Sequence, residues 1–305
     1  MLSRRHLLLG VSGLLLPRPV RAEGQDMVRL PIGLTAAGMA HVPVSIGSRG
    51  PYRFIIDTGS QMSGISAALA LQLGLKAAGQ ARVSGIGGSR LSQLYRVEDF
   101  SVGTVFRQSG MTLLGFDALP FREGQGLLGA RFLTMLPSEL DFTAREIRVH
   151  RHAPDFSGYT FLDSAGHGSD GRAVVQVTLD GQRLVLMVDT GATAEIGLNG
   201  GCVSRLHLWD RYPQLASGHT RDAAGFRVPH RFVKAPDLRL GGYRVESTPV
   251  RLTAPDIPNR KGETTDGVIG IRTLRRFGLC FADGRLGLRT PDGATVLPYL
   301  RPKTL

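Results

Sequence analysis

The sequence has 305 residues, enough for one large or two modest domains. With 42% hydrophobic and 20% charged residues it can bury a core, which excludes a disordered chain, and 40 glycines with 17 prolines favour many short strands joined by turns. The net charge is +12, but the arginines and lysines are scattered, with no basic helix or aromatic-interleaved patch, so no nucleic-acid partner is expected.

At the N-terminus, Ser3-Arg4-Arg5-His6-Leu7-Leu8 sets two arginines ahead of an apolar run from Leu7 to Leu16, and Val20-Arg21-Ala22 supplies small residues at cleavage positions. Residues 1–22 read as a twin-arginine-type signal peptide cleaved after Ala22, which places the mature protein in the periplasm or outside the cell. Its apolar run is too short to span a bilayer, and no later stretch reaches that length, so no integral membrane segment is expected in the mature form. Four arginines and no acid leave with the signal.

A strand is expected over Val28 to Leu34, and His41 to Gly47 alternates apolar and polar residues as a half-buried strand does. A turn at Ser48 to Pro51 leads into Tyr52-Arg53-Phe54-Ile55-Ile56-Asp57, where four of the five residues before the aspartate are bulky and apolar or aromatic. This is a buried strand delivering a carboxylate to its end, with Thr58-Gly59-Ser60 as the turn. Ser66 to Gly74 reads as a short helix capped by serine and ended by glycine. Val83 to Leu91 is two strand ends around a glycine-rich tip, with no phosphate-binding Lys-Ser/Thr after it. Strands follow at Tyr95 to Val102 and Gly110 to Leu114. In Gly126-Leu127-Leu128-Gly129 the glycines imply close approach of another backbone. A helix over Arg131 to Leu136 and a hairpin of Glu139 to Phe142 with Glu146 to Val149 close the half.

Residues 151–171 contain Pro154, several glycines and no sustained periodicity, and read as a linker. The order then repeats: an alternating strand over Ala173 to Leu179, a turn at Asp180-Gly181, and Leu184 to Asp189 followed by Thr190-Gly191-Ala192. A helix near Cys202 to Leu208, a polar loop over Gly218 to Pro229, and strands over Phe232 to Leu240 and Pro249 to Leu252 come next. Asp266-Gly267-Val268-Ile269-Gly270 matches the earlier Gly-Leu-Leu-Gly, Thr273 to Phe277 matches the helix after it, and Phe281 to Leu288 closes this half. Two Asp-Thr-Gly motifs 132 residues apart, each ending an apolar run, identify a duplication. The domains are therefore 23–150 and 172–305.

Two aspartates from duplicated halves can meet across a pseudo-twofold axis, where both carboxylates do not ionise at once. One holds a proton and the other accepts one, an acid and a base in a single pair. Thr58 and Thr190 are suited to bond into the opposite half, Gly59 and Gly191 to let backbone amides approach the carboxylates, and Ser60 to donate to Asp57, whereas Ala192 has no hydroxyl to offer Asp189. Cys202 and Cys280 lie in no Cys-x-x-Cys pair, so no redox or zinc role is expected, and a disulfide is left open. His150 and His152, a close pair with no third ligand at metal spacing, read as surface. No metal site and no cofactor motif is recognised.

These motifs resemble those of the pepsin–retropepsin superfamily of aspartic proteases, with the bacterial exported retropepsin-like branch as the nearest match, over roughly residues 28–150 and 172–290. The resemblance implies an all-β fold of two homologous retropepsin-like β-barrel lobes around a central cleft, with Leu127-Leu128-Gly129 and Val268-Ile269-Gly270 threading beneath their own Asp-Thr-Gly loops. It implies an aspartic endopeptidase with Asp57 and Asp189 as catalytic pair, a polypeptide substrate, a monomer and no cofactor. Gly85, Ile86, Gly87 and Gly88 would form the flap over the substrate. Two features depart from the pattern: this hairpin has no tyrosine, and Glu195 stands six residues after Asp189, where the first half has Ser63. Glu195 and the asymmetric Ser60/Ala192 pair motivate the alternative of a peptide-binding pseudoprotease of the same fold.

Overall fold

The computed structural model describes residues 26–119, 121–167, 171–259 and 262–298; the signal-peptide reading falls outside them. The chain forms two β-barrel lobes, as the repeat implies. In the first, Ala40–Ile46 turns Ala40, Val42, Val44 and Ile46 inward and leaves Pro43 exposed. The strand Arg49–Asp57 departs from this alternation, because Phe54 to Asp57 are all buried. It is an interior strand, with Ala40–Ile46 antiparallel on one edge and Gly126–Gly129 parallel on the other, and both its faces are covered, Phe54 lying toward Phe100 and Ile55 beside Gly124. A strand covered on both faces reads as a continuous apolar run. Phe54 also meets Phe100 edge-to-face at 5.8 Å in the core. The barrel closes where Val44 to Ile46 pairs with Phe100 to Val102.

The second lobe repeats this arrangement. Ala173–Leu179 pairs with Gln182–Asp189, which runs parallel to Gly267–Gly270, and Thr178 and Leu179 close on Leu238 and Arg239. In both lobes the Asp-Thr-Gly strand and the Gly-apolar-apolar-Gly strand lie side by side, with Asp57 opposite Gly129 and Asp189 opposite Gly270.

Several strands are longer than expected. Ser89–Val102 and Phe106–Phe116 pair in the first lobe, and Arg227–Leu240 and Tyr243–Thr253 in the second. The stretch read as a polar loop, 218–229, is instead a hairpin: Gln214–Arg221 pairs with Arg227–Leu240 around a tip at 222–226. Most of the strand Gln214–Arg221 is exposed on a two-stranded extension. With little core to face, it carries polar side chains and shows no apolar alternation.

Glu139 to Phe142 and Glu146 to Val149 do not close a lobe by themselves. Ser138–Asp141 pairs with Glu146–His150 on one side and with Gly278–Ala282 of the second half on the other. The result is a six-stranded sheet between the lobes, running Met27–Pro31, Glu146–His150, Ser138–Asp141, Gly278–Ala282, Arg285–Arg289, Thr160–Phe161. Residues 151–171 also hold strand: Thr160–Phe161 caps that sheet, and Ser164–His167 pairs with Ala173–Leu179. His150, read as surface, is 8% exposed and bonds Glu139 from within this sheet.

The helices are single turns or little more. Ala67–Gln72 is capped by Ser66, whose hydroxyl accepts from the N–H of Leu69. Gly200–Arg205 starts earlier than expected because Asn199 caps it, accepting from the N–H of Cys202. Cys202 and Cys280 are both buried and free. Among the described residues no helix is long and apolar enough to cross a membrane.

Candidate active site

The two aspartate loops meet where the lobes face each other. Thr58 Oγ1 donates to the Val188 carbonyl at 2.8 Å, and Thr190 Oγ1 donates to the Ile56 carbonyl at 2.7 Å. Each threonine N–H donates to the other's hydroxyl at 3.1 Å. The apolar-apolar-Gly strands support the loops from beneath: the N–H of Ala130 donates to the Ser60 carbonyl, and that of Ile271 to the Ala192 carbonyl.

The carboxylates are held by glycines of both lobes. Gly59 N–H donates to Asp57 Oδ1 at 3.0 Å, and Gly191 N–H to Asp189 Oδ1 at 2.9 Å. Each glycine also faces the opposite acid: a Cβ on Gly59 would lie 2.4 Å from Asp189 Cγ, and one on Gly191 would lie 2.5 Å from Asp57 Cγ. No side chain fits at either position. Ser60 departs from expectation. Its hydroxyl donates to the Met62 carbonyl at 2.8 Å and not to Asp57. Ala192 lacks a hydroxyl but donates its backbone N–H to Asp189 at 2.9 Å.

The two carboxyls are close enough that each acts on the ionisation of the other. Burial and then the neighbouring Asp189 charge push Asp57 well above the ordinary carboxylate range. Burial also raises Asp189, but the amides of Gly191 and Ala192 and the charge of Arg251 pull the other way. Both carboxyls are thus held above the ordinary range, Asp57 the more strongly.

Above them, the first hairpin turns at Gly85 to Gly88, with the N–H of Gly85 donating to the Gly88 carbonyl. Its tip touches the tip of the second hairpin. Gly87 N–H donates to Asp222 Oδ2 at 2.7 Å, while Asp222 Oδ1 accepts from the N–H of Phe226 in its own turn. Gly85 and Gly87 leave room for this, since a Cβ on Gly85 would be 2.3 Å from the Asp222 carboxyl. Phe226 packs over Gly87 and Gly88. Asp222 and Phe226 were missed in the sequence because their segment reads as loop; the signal available was Asp222-Ala-Ala-Gly225, an Asp-led turn with glycine at its fourth position. Between hairpins and aspartates lies a cleft of about 470 Å³, lined among others by Asp57, Asp189, Ile86, Leu114, Asp222 and Arg251. Among the described residues no group of His, Cys, Asp and Glu could hold a metal ion.

Glu195 does not correspond to Ser63. In the sheets Gly64 pairs with Leu127, and Gly197 with the equivalent Val268, so the second loop holds one more residue and Glu195 matches Met62. The side chain is 14% exposed and pairs with Arg272 at 3.8 Å, while its carbonyl accepts from the N–H of Gly270 and from Thr273 Oγ1.

Two barrels that each end an apolar strand in Asp-Thr-Gly at one shared cleft define the two-lobed, pepsin-like class of fold. The aspartyl protease family model matches residues 42–132 and again residues 175–273, and the chain belongs to that family. Among solved structures, an aspartic proteinase from Irpex lacteus matches at a TM-score of 0.52 and 15% identity, over 88% of this chain and 98% of that one. A retropepsin-like aspartic protease from Rickettsia conorii matches at a TM-score of 0.30 and 18% identity, over 44% of this chain and 91% of that one. At these identities the first likeness speaks to the fold alone. No curated protein matches the chain.

Proposed function

We propose that the protein is an aspartic endopeptidase that hydrolyses peptide bonds with a water activated by Asp57 and Asp189. The observation that carries this reading is the mutual approach of the two carboxyls, each held against a glycine of the other lobe. Asp189, the ionised member, takes a proton from the water as its oxygen attacks the amide carbonyl. Asp57, the protonated member, polarises the carbonyl oxygen and then supplies the proton for the leaving nitrogen. Thr58, Gly59, Thr190 and Gly191 hold the pair, Ser60 orders its own turn, and Gly85, Ile86, Gly87 and Gly88 cover an extended substrate. The unit is a monomer in which residues 23–150 and 172–305 supply one aspartate each.

The test is cleavage of a denatured protein from about pH 3 to about pH 8, with Asp57→Asn alongside. Cleavage by wild type and none by the variant supports the pair; full activity in Asp57→Asn or Asp189→Asn removes it. Binding of an extended peptide without turnover would favour the pseudoprotease instead. Export belongs to the same reading and is checked by N-terminal sequencing of the mature protein, which should begin at Glu23.

A further inference from the structure

The lobes are repeats, so the positions at which their cleft walls differ report what each side is built to hold. Sheet register gives the correspondence. Gly64 pairs with Leu114 and Leu127, and Gly197 pairs with Arg251 and Val268. Leu114 and Arg251 are therefore counterparts, and both line the cleft. The first is 6% exposed and the second 9%. An apolar wall on one side is matched by a buried guanidinium on the other.

A buried guanidinium is costly unless its donors are met. Among the described residues Arg251 has no hydrogen bond and no ion pair, and its Nε is buried without a partner. Gly197 makes the space it occupies: a Cβ there would lie 2.8 Å from Nη2. Glu263, which also lines the cleft, accepts the hydroxyl of Thr265. The charge of Arg251 reaches Asp189, but acting on that carboxylate from a distance leaves the Nε–H unmet. A carboxylate brought in by a ligand can pair with the guanidinium, since the planar fork of arginine matches two oxygens at once.

We propose that Arg251 floors a specificity subsite on the Asp189 side of the cleft that receives an aspartate or glutamate side chain of the substrate, opposite an apolar subsite walled by Leu114. The inference rests on the endopeptidase reading for turnover, but the subsite itself requires only peptide binding.

The experiment uses peptides identical except for Glu or Gln at successive positions around the cleaved bond, at about pH 5, where glutamate is ionised. Wild type should favour Glu at one position by about 10- to 100-fold in kcat/KM, and Arg251→Met should bring that ratio close to one. A change in rate common to both peptides cancels in the ratio. Should Arg251→Met not fold, Arg251→Gln carries the same expectation. No Glu preference at any position in wild type, or a preference that survives loss of the guanidinium, overturns the proposal. If wild type cleaves neither peptide, the endopeptidase reading fails separately, and the same pairs are compared by their Kd. Tighter binding of the Glu peptide then supports the subsite, and equal or absent binding overturns it.

Discussion

Thr58 and Thr190 hold the two lobes together at the site by four hydrogen bonds. Each hydroxyl donates to the carbonyl preceding the opposite aspartate and accepts the N–H of the other threonine. Neither loop is complete without the other, so carboxyl placement depends on the docking of the lobes. Both threonines are almost fully buried, at 1% and 0% exposed.

Thr190→Val keeps the shape but leaves an N–H and a carbonyl unmet in the interior. The expected loss is about 1–3 kcal/mol per stranded group, with a lower Tm by calorimetry and a kcat reduced by at least about 10-fold. Thr190→Ser, which keeps both bonds, should stay near wild type.

The raised pKa of Asp57 predicts a pH dependence of opposite sign to the usual carboxylate. Its folded pKa lies above the unfolded value, so the unfolded chain releases the proton first and stability falls as pH rises from the ordinary range through the folded pKa. Asp57→Asn removes that penalty. The variant should melt above wild type at neutral pH and close to it at about pH 3, while losing cleavage; a variant that melts lower at neutral pH would contradict the assignment.

Glu139 shows the other sign. Burial opposes its charge, but Tyr159 at 2.6 Å, His150 at 2.9 Å and the charge of Arg148 hold its carboxyl below the usual range. Its stabilisation is present above the unfolded pKa and lost as pH falls through the depressed folded one. Because it sits where the halves pair, opposite Cys280, Glu139→Gln should weaken the sheet between the lobes at neutral pH by about 1–3 kcal/mol. The difference from wild type in Tm should shrink below about pH 4.

The contact of Asp222 with the Gly87 amide ties the hairpin tips over the cleft. Asp222→Ala removes it, and the loss of one charge-assisted bond corresponds to a KM raised by about 5- to 30-fold. Faster amide exchange at Gly87 is the accompanying structural readout. Gly85→Ala should act in the same direction, because its Cβ displaces the Asp222 carboxyl.

The fold was legible where a local pattern has a single physical cause. Phe54 to Ile56 are apolar without interruption in a strand paired on both edges and covered on both faces, whereas Leu184 to Val188, equally apolar, alternate between buried and half-buried. The hairpin at 214–240 was not legible, since exposed strands on an extension need no apolar alternation. Nor was the burial of His150, which depends on Glu139 and on a sheet shared with the second half.

The sequence by itself determined the duplication, the barrel strands and the two Asp-Thr-Gly turns, because apolar periodicity and turn chemistry act within a few residues. Tertiary structure alone decided which groups meet across the cleft. The Thr58–Thr190 exchange, the seating of Gly59 against Asp189, the Asp222–Gly87 tie and the solitary Arg251 opposite Leu114 join residues far apart in the chain. The reason is physical: such contacts are set by the docking of two barrels through the sheet they share, and no local pattern encodes that geometry.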